Sequence, residues 1–435
     1  MKSFKISKGH NINISGKPSE NLHKQKKPGM VVFHPSTIKN LKTKLLIKEG
    51  DTVKIGSPLF YDKKNEGVYF VSSCSGNVEK IVFGPKRIVE RIEISNKGNE
   101  YFELDNKVTV DNLLKSGLWT YFRQKPFSKI PHYKSRPKEI YISAMPTEPF
   151  AINYSFLFNN IENYLQKGVD VLKEIFNCEI NVSSFSGNSD FENLKNVNHY
   201  SFNKLHPAGN VGVQIHHINP ISDANDLRWY ISLQDLNRIG EFFTTGKYPN
   251  RRYINISGNG LKNTGIYDVL IGTPNSEYLD LLDVDLRIIS GDVLNGKEIE
   301  NNKSINYHDE IVSVIKTDHK RDFLGWITPG LKKYSITNTF LSKINNNKNS
   351  EISTKVNGSI RTIIPMGNWD KVMPMNIFSE YLIKSILAED IDMMEKLGIY
   401  ECSPEDFALC SFACQSKVEV SKIIEDGLDL MESEG

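Results

Sequence analysis

Short apolar runs separated by glycine turns open the chain: Lys44 to Lys48, then Gly50-Asp51, Val53, Gly56-Ser57-Pro58 and Leu59 to Tyr61. Val68 to Val71, a turn at Ser75-Gly76-Asn77 and Val78 to Val82 continue the pattern. This rhythm predicts hairpins folded into a small barrel or sandwich over residues 1–105. The period then changes. Glu139 to Met145 reads as an apolar strand, Ile161, Tyr164, Leu165, Val169, Leu172 and Ile175 share one helical face, and Glu179 to Phe185 reads as a second strand. Strand, helix and strand at that spacing make a βαβ unit with a right-handed crossover. Asp226 to Gln234 predicts a further strand, Asp235 is placed to cap a helix over Leu236, Ile239 and Phe243, Gly246 ends it, and Arg252 to Ser257 is the next strand. Residues 112–257 therefore read as a Rossmann-like α/β domain.

Short elements return over residues 258–345. They are a strand from Gly265 to Gly272, a helix entered through Thr273-Pro274-Asn275-Ser276-Glu277, a strand from Leu286 to Ser290 and another from Asp309 to Lys316. Asn345 to Ser350 is a polar linker. Residues 350–435 turn helical beyond Met375, with Ile377, Tyr381, Leu382, Ile386 and Leu387 at helical spacing. Ser403-Pro404-Glu405-Asp406 has the composition of a helix start, and Val418 to Met431 supplies a last helix of a small bundle. The fold class is α/β multidomain, α+β overall.

A length of 435 residues exceeds a single core. Hydrophobic residues at 39% and charged residues at 24% fit folded globular domains. A net charge of +2 gives no footprint for nucleic acid. The lysines Lys24, Lys26, Lys27, Lys39, Lys42, Lys44 and Lys48 form a locally basic start that reads as a solvated face. No window reaches the length of apolar chain a membrane span needs, and MKSFKISKGH lacks a signal peptide's apolar core. Cys74, Cys178, Cys402, Cys410 and Cys414 fit free thiols in a reducing compartment. Neither these nor His206, His216 and His217 have the spacing of a cluster or metal site. An alternating strand would send His216 and His217 to opposite faces.

The stretch KEGDTVKIGSPLFYDKKNEGVYFVSSCSGNVEKI resembles the biotinyl/lipoyl-carrier barrel-sandwich, and Lys63 and Lys64 fall near the hairpin tip where such carriers bear a modified lysine. The flanks do not match a modification site. Arg287 to Gly296, RIISGDVLNG, resembles the ubiquitin-like β-grasp module. Along the whole chain, SGLWTYFRQKPFSKIP, HPAGNVGVQIHHINP, RIISGDVLNG, FLGWITPG, NGSIRTIIPMGNWDKVMPM and DFALCSFAC occur in an order similar to the A-subunit family of the bacterial sodium-translocating NADH:quinone oxidoreductases.

That resemblance implies a complex that oxidises NADH, passes electrons through FMN, FAD and Fe–S centres in other subunits, reduces ubiquinone and pumps Na⁺. It implies that this chain sits peripherally on the cytoplasmic side of the bacterial inner membrane, held by a membrane-embedded subunit. Related flavin-bearing subunits hold a phosphate on a glycine-rich loop opening a helix. The matching stretch here, Gly117 to Arg123, keeps one glycine and carries Trp119, Tyr121 and Phe122, so the hollow is expected to be filled and the chain to hold no flavin. His206 to Asn210 likewise lacks the acid that dinucleotide sites aim at ribose hydroxyls. No catalytic residue is implied. For ubiquinone contact the candidates are Trp119, Phe122, Arg123, Phe127, His216 and His217; the alternative is that these rings pack the α/β core. A free-standing flavin- or NADH-binding oxidoreductase and a lipoyl-type carrier are the rival readings.

Overall fold

The structure is a computed structural model and describes residues 1–318, 324–325, 327–330, 334, 336, 340–343, 354–356 and 358–435. The expected linker at Asn345 to Ser350 lies outside them. In the N-terminal part the strands Met30–Phe33, Thr52–Val53, Ser75–Phe83 and Val89–Gly98 form one sheet, and Thr43–Leu45, Pro58–Asp62 and Asn65–Val71 form a second. The alternation seen in the sequence sends Val31, Leu59, Val68, Val78, Ile92 and Ile94 into the space between them, where all six are buried. The spacing of glycine turns predicts a small barrel or sandwich, and the likeness to the biotinyl/lipoyl carriers narrows it to the barrel-sandwich found here.

The second layer is a six-stranded sheet. Its strands are β1 (Lys2–Phe4), β2 (Arg123–Lys125), β3 (Glu139–Ser143), β4 (Glu179–Phe185), β5 (Asn198–Phe202) and β6 (Arg228–Ser232), in the order β1-β5-β4-β3-β6-β2. All neighbours are parallel except β2, which runs antiparallel to β6 along the edge. The helices are α1 (Leu165–Phe176), α2 (Val211–Ile218) and α3 (Leu233–Thr245). From β3 the chain moves outward through β4 and β5 and then returns to β6 on the other side. The order thus reverses between β3 and β6, the place where open α/β sheets hold ligands beyond the strands' carboxyl ends.

Three local expectations change here. The helix expected from Ile161 begins only at Leu165, because Ile161 is extended and the Tyr164 N–H donates to the Asn237 side chain. Ser232, not Asp235, caps α3: its hydroxyl accepts the Asp235 N–H at 3.1 Å, and Gly246 ends the helix in the left-handed conformation. His216 and His217 stand on α2 rather than on a strand. The alternation Val211, Val213, Ile215 imitates a strand, but Gly212 lets this turn pack directly onto the Lys125 and Asp406 side chains.

The strand Arg251–Ser257, expected in the α/β unit, pairs instead in a mixed sheet ordered 297–298, 286–290, 311–316, 251–257, 265–270, 22–24. The helix expected after Thr273 is one 3₁₀ turn, Asn275–Glu277. The C-terminal helices are α4 (Ser379–Leu387), α5 (Ile391–Lys396), α6 (Ala408–Ala413) and α7 (Val420–Glu434). Ser403 precedes a 3₁₀ turn, Pro404–Phe407, and its side chain does not cap it. The hydroxyl donates to Asp406 Oδ2 instead. No helix among the described residues is long and apolar enough to cross a membrane.

Candidate functional site at the carboxyl ends of the α/β sheet

Gly117 takes a φ of +76°, and a Cβ there would come within 3.0 Å of Val71, so this one glycine is set by backbone shape and close approach. The residues after it coil into a 3₁₀ turn, Leu118–Tyr121. An anion cradle needs free backbone N–H groups. Here the N–H groups of Gly117, Thr120 and Phe122 donate to the carbonyls of Leu114, Gly117 and Trp119. The rings occupy the remaining space. Trp119 and Phe122 have no exposed surface, and both pack on Phe176 and Trp229 with centroids 5.2–5.9 Å apart. Trp119 Nε1 donates to Pro131 O at 2.9 Å. The residues present do not fit a flavin phosphate.

The crevice beside β3 is closed in a related way. Ser143 Oγ donates to Gly209 O at 2.9 Å, the Gly209 N–H donates to Thr147 Oγ1 at 2.9 Å, and Gln214 Nε2 donates to Ser143 Oγ and to Ala208 O. The segment His206 to Asn210 therefore lies on the carboxyl end of β3. Any side chain at Gly209 would strike the Met145 carbonyl at 2.5 Å. His206 is buried, which pushes its imidazole down to about 4 and keeps it neutral. What stays open is a cleft of about 300 Å³ between Asn11 to Pro18, the loop Pro146 to Ala151, Phe185 and Lys204. No local signal marks it in the sequence, because four distant segments build it. Glu148 lines this cleft; burial, with Asp292 and Glu310 nearby, raises its carboxyl to about 7.

The six candidate residues do not converge. Trp119 and Phe122 belong to the core shared by the barrel-sandwich and one face of the α/β sheet, whereas Phe127 belongs to the core on the C-terminal side, 6.0 Å from the Tyr400 ring. Arg123 lies 4.6 Å over the Tyr230 ring. His216 and His217 sit side by side. His216 Nε2 accepts the Asn376 N–H at 2.9 Å, so its proton is on Nδ1, which donates to Glu401 at 2.8 Å. Burial and the adjacent His216 lower the His217 imidazole. His216 thus fastens α2 to the C-terminal part of the chain, while the His217 ring packs against Phe4 and Phe202.

The same junction holds a pair that sequence reading missed. Lys125 Nζ donates to Asp406 Oδ2 at 2.9 Å, Ser403 Oγ at 2.9 Å and Glu401 O at 3.1 Å. Burial opposes the ammonium charge, but Asp406 and Glu405 outweigh it and hold Lys125 charged. No local motif marks two residues so far apart in the chain.

Cys402, Cys410 and Cys414 are buried thiols, and burial pushes Cys402 and Cys410 well up. No group of three His, Cys, Asp or Glu side chains among the described residues could hold a metal ion. Lys63 and Lys64 do occupy an exposed hairpin tip, where Asp62 pairs with Asn65. The hairpin is clamped, however: Asn65 Nδ2 donates to Pro131 O and Asn65 Oδ1 accepts the Tyr133 N–H, both at 3.0 Å. A swinging-arm lysine needs a tip free of such contacts.

Residues 4–97 match the family model of the NqrA N-terminal barrel-sandwich hybrid domain, and residues 104–248 that of the NqrA second alpha/beta domain. The second range ends before the strand that the mixed sheet claims. A Marinomonas sp. (strain MWYL1) protein, named as the A subunit of a Na(+)-translocating NADH-quinone reductase, is 33% identical, over 99% of this chain and 100% of its own. A Neisseria meningitidis (strain FAM18) protein of the same name is 34% identical over the same shares. A Hahella chejuensis protein, again of that name, is 32% identical over 99% of this chain and 100% of its own. Full-length similarity of this order, on a barrel-sandwich followed by an α/β sheet whose ligand crevice is filled from within, means that the chain belongs to the NqrA family, the A subunits of the Na(+)-translocating NADH-quinone reductases.

Proposed function

We propose that the chain is a structural subunit without flavin or iron–sulfur centre, held on the cytoplasmic side of the membrane by a membrane-embedded partner. Around it the complex oxidises NADH, reduces ubiquinone and moves Na⁺. One observation carries this reading: Trp119 and Phe122, fully buried on Trp229 and Phe176, fill the hollow that related subunits reserve for a cofactor. The test is the absorption spectrum and intact mass of the purified chain, together with fractionation of cells expressing the whole complex. A colourless chain of unmodified mass that pellets with membranes only when the other subunits are present supports the reading. Stoichiometric FMN, or an added mass on Lys63 or Lys64, would overturn it.

A second reading keeps ubiquinone contact in this chain, at Arg123 and not at the wholly buried Trp119 and Phe122. Arg123 favours it: its half-buried guanidinium stacks on Tyr230 and has no carboxylate within ion-pair distance among the described residues. Such a group can donate to a quinone carbonyl. Photoreactive quinone labelling of the intact complex decides, since label confined to other subunits removes this reading.

A further inference from the structure

Helix α4 is apolar on both sides. Its inner face, Leu382, Ile383 and Ile386, packs in the C-terminal core, and Gly427 of α7 approaches so closely that a Cβ there would lie 2.8 Å from Ile386. Its outer side carries Tyr381 and Leu387, along with Glu380 and Lys384, and Phe378 stands exposed just before its first turn. The Phe378 and Tyr381 rings meet edge to face at 6.3 Å. Glu380 Oε1 accepts the N–H groups of Met366 and Gly367, which holds the segment with Ile364 and Met366 beside the start of α4. Met393 of α5, the next helix along the chain, is likewise exposed.

These six side chains are 42–68% exposed. At roughly 200 Å² for a large apolar residue they leave on the order of 700 Å² open to water. Taken together that approaches what one partner contributes to a standard stable interface, about 800 Å². An amphipathic helix ordinarily turns its second face polar, so this one is built to be covered.

The charge around the patch indicates by what. Exposed charges of both signs flank these residues along the chain, Arg361, Lys371, Lys384 and Lys396 of one sign and Asp370, Glu389, Asp390, Asp392 and Glu395 of the other. An acidic bilayer would be repelled by the second group. A protein surface with an apolar centre and a rim of both signs would pair with both.

We infer that the outer face of α4, with Ile364, Met366 and Met393, is the surface on which another subunit of the complex docks. The inference rests on the chain's working inside that complex, and adds where it is held.

The experiment uses the full chain co-expressed with the other subunits, as wild type, as Phe378→Asp/Tyr381→Asp, and as Lys64→Asp as a distant exposed control. The wild type and the control should co-purify with the complex, while the double variant falls by at least about tenfold, the size expected for buried aromatic anchors. Its melting curve in isolation should stay unchanged. A photoreactive amino acid at position 381 should crosslink to one other subunit. Full co-purification of the double variant overturns the inference, as do crosslinks to lipid, to a second copy of this chain or to the chain itself. Failure of the wild type to co-purify would instead overturn the proposed function, so the two failures are distinct. If the double variant melts early, the position-381 crosslink alone decides.

Discussion

The buried pair Lys125 and Asp406 offers the sharpest test of how the C-terminal helices are held to the sheet. Its side chains are 1% and 0% exposed, and the three ammonium protons are all used, on Asp406, Ser403 and Glu401. Asp406 in turn receives the Ser403 hydroxyl at 2.6 Å and Asn210 Nδ2 at 3.3 Å. Replacing Lys125 by Met leaves a buried carboxylate without its cation, at a cost of about 3–5 kcal/mol. Asp406→Leu strands the ammonium and costs a similar amount. The double variant removes both charges together and should lie well below the sum of the singles, because the apolar pair needs no compensation. Urea denaturation of the purified chain, followed by circular dichroism and by tryptophan fluorescence, measures all three, with Trp369 reporting from the same core. Single costs below about 1 kcal/mol, or single costs that simply add, would refute the reasoning.

Trp119→Ala should cost about 3–5 kcal/mol of stability by the same denaturation assay, since the indole is wholly enclosed by rings. Little or no loss would mean that the hollow is not filled as described. Gly117→Ala should destabilise by about 1–2 kcal/mol, because φ of +76° and Val71 at 3.0 Å both oppose a side chain; an unchanged midpoint would count against it. Glu148 is raised from 4.5 to about 7 and Asp292 from 3.8 to about 6, chiefly by burial. A carboxyl raised on folding stabilises below its unfolded value and loses that contribution as pH rises through the folded one. The melting temperature should therefore fall between about pH 4 and pH 7, and Glu148→Gln with Asp292→Asn should flatten that slope. A slope unchanged by both substitutions would remove them as its cause.

Period and punctuation in the sequence were enough to reach the barrel-sandwich, the parallel strands and the C-terminal helices. Alternation with glycine turns admits few other solutions, and the strand from Leu286 to Ser290 falls where the apolar run places it. The family resemblance singled out Gly117 to Arg123, and the bulk of Trp119, Tyr121 and Phe122, all buried, is what fills it. Errors collected where local pattern competes with distant packing. His216 and His217 read as a strand because Val211, Val213 and Ile215 alternate. Only the approach of Lys125 and Asp406 to Gly212 shows why a helix starts there. Arg251–Ser257 has the composition of any buried strand, and which sheet it joins depends in part on Ile311–Lys316, more than fifty residues away. The polar junctions are non-local for the same reason. Lys125 with Asp406, and His216 with Glu401, bring together residues whose neighbours in sequence carry no mark of the pairing. Sequence by itself determined the class of each layer, because periodicity and turn chemistry act over a few residues. Tertiary structure alone decided where the charges are neutralised, which crevice is closed and which apolar side chains stay exposed, because each depends on the free energy of taking groups from distant segments out of water together.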